Sequence, residues 1–337
     1  MLETLLAKQL IPDLVIRWGI RNLLKQRLKE ISPLESESEQ LKFIEQIYQG
    51  PIAVNTRDAN DQHYEVPTEF YLKVLGKHLK YSSGYWEHGD TLDSSEARML
   101  KLTCERARLS DGLDILELGC GWGSLTLWMA AHYPNSKITA VSNSKTQKDH
   151  IDHQAHLRGL TNITIVTADM NEFKAPQSFD RVVSVEMFEH MRNWDELLKR
   201  VKSWLKPTGF LFVHIFVHKT TPYLFEVKDE TDWMSRYFFS GGMMPSFDQF
   251  KKFNNHFNVV EQWKVNGNHY AQTSEAWLNE TDKHEKMLIP LFEKHYGKGE
   301  GVKWLEWWRV FFMSCAELFK FKNGEEWFVA HYLMGPK

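Results

Sequence analysis

Cysteine is scarce in this 337-residue sequence. Cys104, Cys120 and Cys315 stand far apart, which argues against a disulfide framework or paired zinc ligands and makes a reducing, cytoplasmic compartment the expectation. No apolar run approaches the ~20 residues that span a bilayer. The N-terminal MLETLLAKQL has an early acid and no basic flank ahead of an apolar block, unlike a secretory signal. Blocks of like charge are also missing, and the formal net charge is −3, so a nucleic-acid partner is not expected. What is abundant is large aromatics: 13 Trp and 21 Phe, crowded towards the C-terminal half. Core filling is the ordinary use of such residues.

Apolar positions recur at helical spacing over residues 2–28 (Leu5, Leu6, Leu10, Leu14, Trp18), with Arg17, Arg21, Lys25 and Arg27 between them. This predicts a basic amphipathic helix, interrupted at Pro12. Such a helix suits an acidic membrane surface, or a cap packed on its own domain or on a second copy in a homodimer; the cap is the favoured expectation. SPLESESE (32–39) has the composition of a polar linker, and a second helix is expected over about 39–49.

From residue 113 the pattern changes. Strands are predicted at 113–119, 137–144, 162–169, 179–190 and 209–216, with late strands at 257–265 and 325–334. Continuous apolar strands alternating with helices describe a doubly wound, mostly parallel, seven-stranded α/β sheet covered on both faces. The expected organisation is an N-terminal helical cap and cofactor lid over 1–110, followed by a Rossmann-like sheet domain over 111–337. Two insertions, 218–256 and 272–320, are expected to hold substrate.

Loops leaving the carboxyl ends of strands form the ligand crevice of such sheets. ELGCGWG (117–123) is one of these loops. Gly119 and Gly121 let the backbone approach a ligand, and the helix that follows offers free N–H groups. A dinucleotide site wants G-x-G-x-x-G and an acid near the end of the second strand. Here that strand ends in Ser142-Asn143-Ser144, with Gln147 one turn on, groups that suit ribose hydroxyls. The third ends in Asp169-Met170, where a carboxylate can accept from an adenine amino group and a thioether can pack on its face. An N-cap is the plainer role for Asp169. Val185 ends the apolar run of the fourth strand and is assigned to the same face.

Together these residues resemble the first motif and strand ends of class I S-adenosylmethionine-dependent methyltransferases, which implies that cofactor; no metal is expected. A narrower resemblance runs from about residue 60 to the end. DQHYEVP (61–67), LKYSSGYW (79–86), LELGCGWG (116–123), SNSKTQ (142–147), VEMFEHM (185–191) and NGEEWFVAH (323–331) are similar to the group that holds coclaurine-type N-methyltransferases and cyclopropane fatty acid synthases. The resemblance implies that Tyr64, Tyr81 and Ser82 close over the methionine end of the cofactor, and that Ser142 and Gln147 hold its ribose.

VEMFEHM sets Glu186, Glu189 and His190 at a crevice-lining strand end. Methyl transfer from a sulfonium is an in-line displacement that needs a dry, oriented pocket. An amine substrate adds the need to lose a proton. His190 is therefore assigned as proton acceptor, with Glu186 and Glu189 anchoring the ammonium, although a structural histidine is the plainer role. If the strand passes into a helical turn, Glu186 and His190 share a face. A flat amine also needs rings around it, and Phe238, Phe319 and Trp327 are the chosen pocket residues among Phe239, Trp304, Trp307, Trp308 and Phe311.

The alternative is a cyclopropane synthase acting on unsaturated phospholipid. The resemblance implies for such enzymes a bicarbonate pocket made by a Cys, a Glu, a His and a Tyr. Ser83 stands where the Cys is expected, while Glu189, His214 and Tyr270 match, so His214 and Tyr270 join the substrate-site candidates. The missing Cys and the extra charge of Glu186 favour a small-molecule amine, since a buried charge beside an acyl chain costs several kcal/mol.

Overall fold

The computed structural model describes residues 5, 6, 9–54, 66–226, 238 and 241–337. Tyr64, Phe239 and most of DQHYEVP lie outside them. All seven strands form: β1 Asp114–Leu118, β2 Lys137–Ser142, β3 Ile163–Thr167, β4 Phe179–Val185, β5 Leu205–His218, β8 Phe257–Val265 and β9 Trp327–Pro336. A short hairpin, β6 Tyr223–Leu224 with β7 Met243–Met244, stands apart from them. The main sheet runs β3-β2-β1-β4-β5-β9-β8. Its first five strands are parallel neighbours, and β9 lies antiparallel to both β5 and β8. Strand order reverses between β1 and β4, and the crevice opens there.

Four helices begin at side-chain caps, Ser36, Thr91, Ser144 and Asn193. α1 Asp13–Ile31 starts after Pro12, α2 is Glu37–Ile47, α3 Thr68–Val74 and α4 Leu92–Arg106. The SPLESESE segment is not a linker: Ser32–Glu35 is a 3-10 turn, and the Ser36 hydroxyl accepts from the Glu39 N–H to start α2. Ser-x-x-Glu is a helix-start signal that outweighs the polar composition. α5 Ser124–His132 and α6 Lys145–Leu157 follow β1 and β2, and α7 Trp194–Trp204 follows β4. α7 buries Trp194, Leu197, Leu198, Val201 and Trp204, a single helical stripe against the sheet.

α8 Gln249–Lys252 is one short turn; α9 Asn268–Lys283, α10 Glu285–Tyr296 and α11 Gly301–Gly324 fill the space between β8 and β9. These last helices share one apolar core with α1 and α3, through Ile16, Phe70, Tyr71, Trp277, Phe292, Trp308 and Phe312. Ion pairs seam the packing: Arg17 to Glu275 at 2.6 Å, Arg21 to Glu317 at 2.7 Å and Arg309 to Asp13 at 2.8 Å. The basic N-terminal helix is thus a cap on its own chain.

Candidate active site

A cavity of about 1710 Å³ lies over the β1/β4 switch point, between the sheet and the shared helical core. Its cofactor side is built by strand ends. Gly119, Gly121 and Gly123 all have positive φ, at 78°, 51° and 81°. A Cβ on Gly119 would lie 2.7 Å from Met187, and one on Gly123 would lie 2.6 Å from Ile151, so both are demanded by packing. A Cβ on Gly121 would meet nothing, because that backbone faces the cavity. The chain leaves this corner directly into α5.

Ser142, Asn143 and Gln147 line the same side. The Ser142 hydroxyl donates to Gln147 Oε1 at 2.7 Å, which leaves the Gln147 amide nitrogen to offer hydrogens to a diol. Asp169 and Met170 line the wall beside them, and the Asp169 carboxylate also accepts from the Asn171 N–H at 2.7 Å, so its turn-capping role coexists with a place in the cavity. Tyr81, Ser82 and Val185 complete the lining. An open glycine corner, a hydroxyl–amide pair, a carboxylate and a thioether fit a nucleoside carrying a methionine tail.

The acids sit opposite. β4 ends at Val185, not at His190, because Glu186 turns into left-handed backbone at φ 48°. Left-handed geometry in a non-glycine residue is strain of order 1 kcal/mol, tolerated where the surroundings enforce it. Here they do. Glu186 Oε1 accepts from the Ser83 N–H at 3.2 Å and from His214 Nε2 at 3.2 Å, while Oε2 accepts from the Tyr270 hydroxyl at 2.7 Å. Its side chain is 9% exposed. Burial pushes its carboxyl up to about 7, against the pull of Lys80, Tyr270 and Ser83.

Residues 188–190 form a separate 3-10 turn, so Glu186 and His190 share no helical face. All three VEMFEHM candidates nevertheless line the cavity. Glu189 is 1% exposed, and neither carboxylate oxygen has a hydrogen-bond partner among the described residues. Burial first, then the neighbouring Glu186, holds its carboxyl well above the ordinary value. Two close buried acids favour a single negative charge between them. Glu186, with three donors, carries it, and Glu189 keeps the proton.

Several assignments need correction. Phe238 stacks on Phe311 at 4.3 Å and packs edge-on to Trp308, in the core rather than along the cavity. Trp327 is fully buried, and its indole N–H donates to the Tyr223 hydroxyl behind the wall. Both went inward because the shared helical core needs large apolar volume, and composition does not tell core from wall. His214 is likewise buried and reaches the cavity only through Glu186. Phe319 and Tyr270 do line it, stacked at 4.3 Å. Sequence reasoning named Phe311 but passed it over, and it missed Phe216, Tyr223 and Trp277 on the wall as well as Lys80. Lys80 is 2% exposed, with its ammonium bonded to the Ser82 hydroxyl and its acidity raised by burial to a pKa of about 8. A lysine inside the quoted LKYSSGYW stretch was the available signal.

Fold and glycine corner together define a class I S-adenosylmethionine-dependent methyltransferase. Within that class the chain belongs to the family described as mycolic acid cyclopropane synthetase, which matches residues 53–327. It is 38% identical to (S)-coclaurine N-methyltransferase of Thalictrum flavum subsp. glaucum, over 96% of this chain and 88% of that one. The cyclopropane-fatty-acyl-phospholipid synthase of Escherichia coli strain K12 is 30% identical, over 79% of this chain and 65% of its own. A crystal structure of coclaurine N-methyltransferase bound to N-methylheliamine and SAH superposes with a TM-score of 0.94 at 37% identity, covering 99% of this chain and 98% of that one.

Proposed function

We propose that the protein transfers a methyl group from S-adenosylmethionine to the nitrogen of a small, flat aromatic or heterocyclic amine of the tetrahydroisoquinoline kind. The observation that carries this reading is the seating of Glu186. Its carboxylate already occupies the donors of Ser83, His214 and Tyr270, three of the positions that the resemblance to cyclopropane synthases assigned to a bicarbonate pocket. A fixed side-chain anion attracts and orients a cationic nitrogen, whereas an acyl chain would have to lie against it. Similarity to coclaurine N-methyltransferase over nearly the whole chain supports the same choice.

When bound, S-adenosylmethionine supplies a methyl group on a cationic sulfur; the S–CH3 bond breaks as the N–CH3 bond forms. The chain's own part is placement and proton handling. Gly121, Ser142, Gln147, Asp169 and Met170 hold the cofactor, with Tyr81 and Ser82 towards its methionine end. Glu186 anchors the incoming ammonium, whose charge draws Glu189 back towards its ionised form. His190 accepts the nitrogen's proton and frees the lone pair. Phe319, Tyr270, Trp277 and Phe311 offer rings to a flat cation. A cytoplasmic site accords with three free, buried cysteines.

The test is transfer of labelled methyl to two panels: aromatic primary and secondary amines including tetrahydroisoquinolines, and unsaturated phospholipid vesicles with and without bicarbonate. Label on the amines alone is expected. Label in lipid, increased by bicarbonate, would sink the proposal.

A further inference from the structure

Behind Glu186 a line of polar groups runs away from the cavity to the edge of the fold. We propose that Arg106 and His331, neither of which lines the cavity, are positioning residues that fix Glu186 as a hydrogen-bond acceptor by setting the tautomer of His214. This rests on the N-methyltransferase reading only in giving Glu186 a task.

The geometry dictates the direction of every link. Arg106, the last residue of α4, places Nη1 2.9 Å from Nδ1 of His331. A guanidinium only donates and keeps its protons in proteins, so Nδ1 of His331 must accept. A neutral imidazole that accepts at Nδ1 carries its hydrogen at Nε2. That atom lies 2.8 Å from Nδ1 of His214. His214 therefore accepts there, carries its own hydrogen at Nε2, and points it at Glu186 Oε1, 3.2 Å away. The row of donors ends on the carboxylate, which the Tyr270 hydroxyl and the Ser83 N–H also address.

Both imidazoles are fully buried, and burial holds each well below the ordinary histidine value, so neutral rings are the correct species. The other charged groups that act on them or on Glu186 are Lys80 and Glu189, with Glu96 of α4 beyond Lys80. The Lys80 ammonium further disfavours a second cation at His214.

The row is built into the sheet. His214 and His331 are direct partners across the antiparallel β5/β9 pair, and Trp263, the partner of His331 on β8, lies under the Arg106 guanidinium at 5.0 Å. If these positions served packing alone, apolar side chains would fill them at lower cost, since a buried polar network is favourable only when every member is satisfied.

The first measurement is the nitrogen-15 NMR spectrum of the histidine side chains in the unsubstituted protein. A hydrogen on Nε2 of both His214 and His331 is expected; a hydrogen on Nδ1 of His214 would overturn the proposal. Arg106→Met and His331→Phe should each scramble the His214 tautomer. They should also lower kcat/KM about 10- to 100-fold, the scale of a lost hydrogen bond to a charged group, and move its acidic limb to higher pH. Affinity for S-adenosylhomocysteine by calorimetry should stay within about twofold, because no member of the row touches the cofactor side. Arg106→Lys and His331→Gln keep a donor, or an acceptor and a donor, and should restore most of the rate; they also serve if the first pair fails to fold. An unchanged acidic limb in both Arg106→Met and His331→Phe would sink the idea. If the tautomers are as stated but no amine is methylated, the row stands and the functional reading falls.

Discussion

The cofactor side and the substrate side of the cavity are assembled from different distances along the chain. Around β1, β2 and β3 each lining residue lies within a few positions of a strand end, and its partners are its near neighbours: Ser142 bonds Gln147, and Asp169 bonds Asn171. Around β4 the decisive side chain is held by remote segments. Glu186 takes one donor from Ser83, 103 positions away, and another from Tyr270, 84 positions away. Tyr81 and Ser82 of the cap apart, the first side is a local motif that any sheet of this kind can carry. The second exists only once the cap, the sheet and the helical insertion have met, so substrate choice can change there without disturbing cofactor binding.

If that separation holds, substitutions on the two sides should fail in different measurements. The largest effect is expected from Gly121→Val. A β-branched residue at φ 51°, facing the cofactor, should weaken S-adenosylhomocysteine binding more than about 100-fold by calorimetry. Next comes Glu186→Gln, which should reduce kcat with amine about 10²- to 10³-fold while leaving that binding within about twofold. Comparable losses in both measurements for either variant would dissolve the distinction between the sides.

A pH profile sharpens the comparison further. Glu186 is pushed up to about 7, so kcat/KM should fall about tenfold per unit as pH drops below that value, and Glu186→Gln should flatten this limb. Stability runs the other way. A carboxyl raised from 4.5 to about 7 on folding binds its proton more tightly in the native state. Its contribution is therefore greatest below 4.5 and is lost as pH rises towards 7, visible as a declining Tm across that window. Removing the nearby cation with Lys80→Met should move the acidic limb to higher pH, with a greater loss of rate at pH 7 than at pH 9. An unmoved limb would show that Lys80 serves packing alone. The smallest effect should come from Phe238→Leu, which should cost about 1 kcal/mol of stability with KM for amine unchanged. Phe319→Leu, on the wall, should raise KM.

Seven strands, the mostly parallel character of their sheet and the residues of the cofactor side were legible because each depends on a run of five to ten residues. A continuous apolar strand followed by glycines or hydroxyls reads the same way wherever it lies. VEMFEHM was legible as a site, but its geometry was not. Nothing within five residues of Glu186 announces a left-handed backbone, which is imposed by Ser83, His214 and Tyr270 closing on the carboxylate. Aromatic residues were the least legible. Phe238 and Phe311 stack face to face, yet one is core and the other wall, a distinction set by helices packing over long separations. Lys80 was hidden because lysine between apolar residues ordinarily marks a solvated face.

The seam between α1 and the late helices carries a consequence for how the protein is made. Arg17 must wait for Glu275, 258 residues further on, and Arg21 for Glu317, 296 residues further on. At synthesis rates of roughly 5–20 residues per second the first helix spends about 10–60 seconds outside the ribosome without its partners. Leu14 and Trp18, exposed even in the finished fold, are then joined by Ile16, Ile20, Leu24 and Leu28, which will later be covered. During that interval the helix presents an uncovered apolar face between its arginines and lysines, a stretch that a chaperone would recognise before any methyl acceptor could.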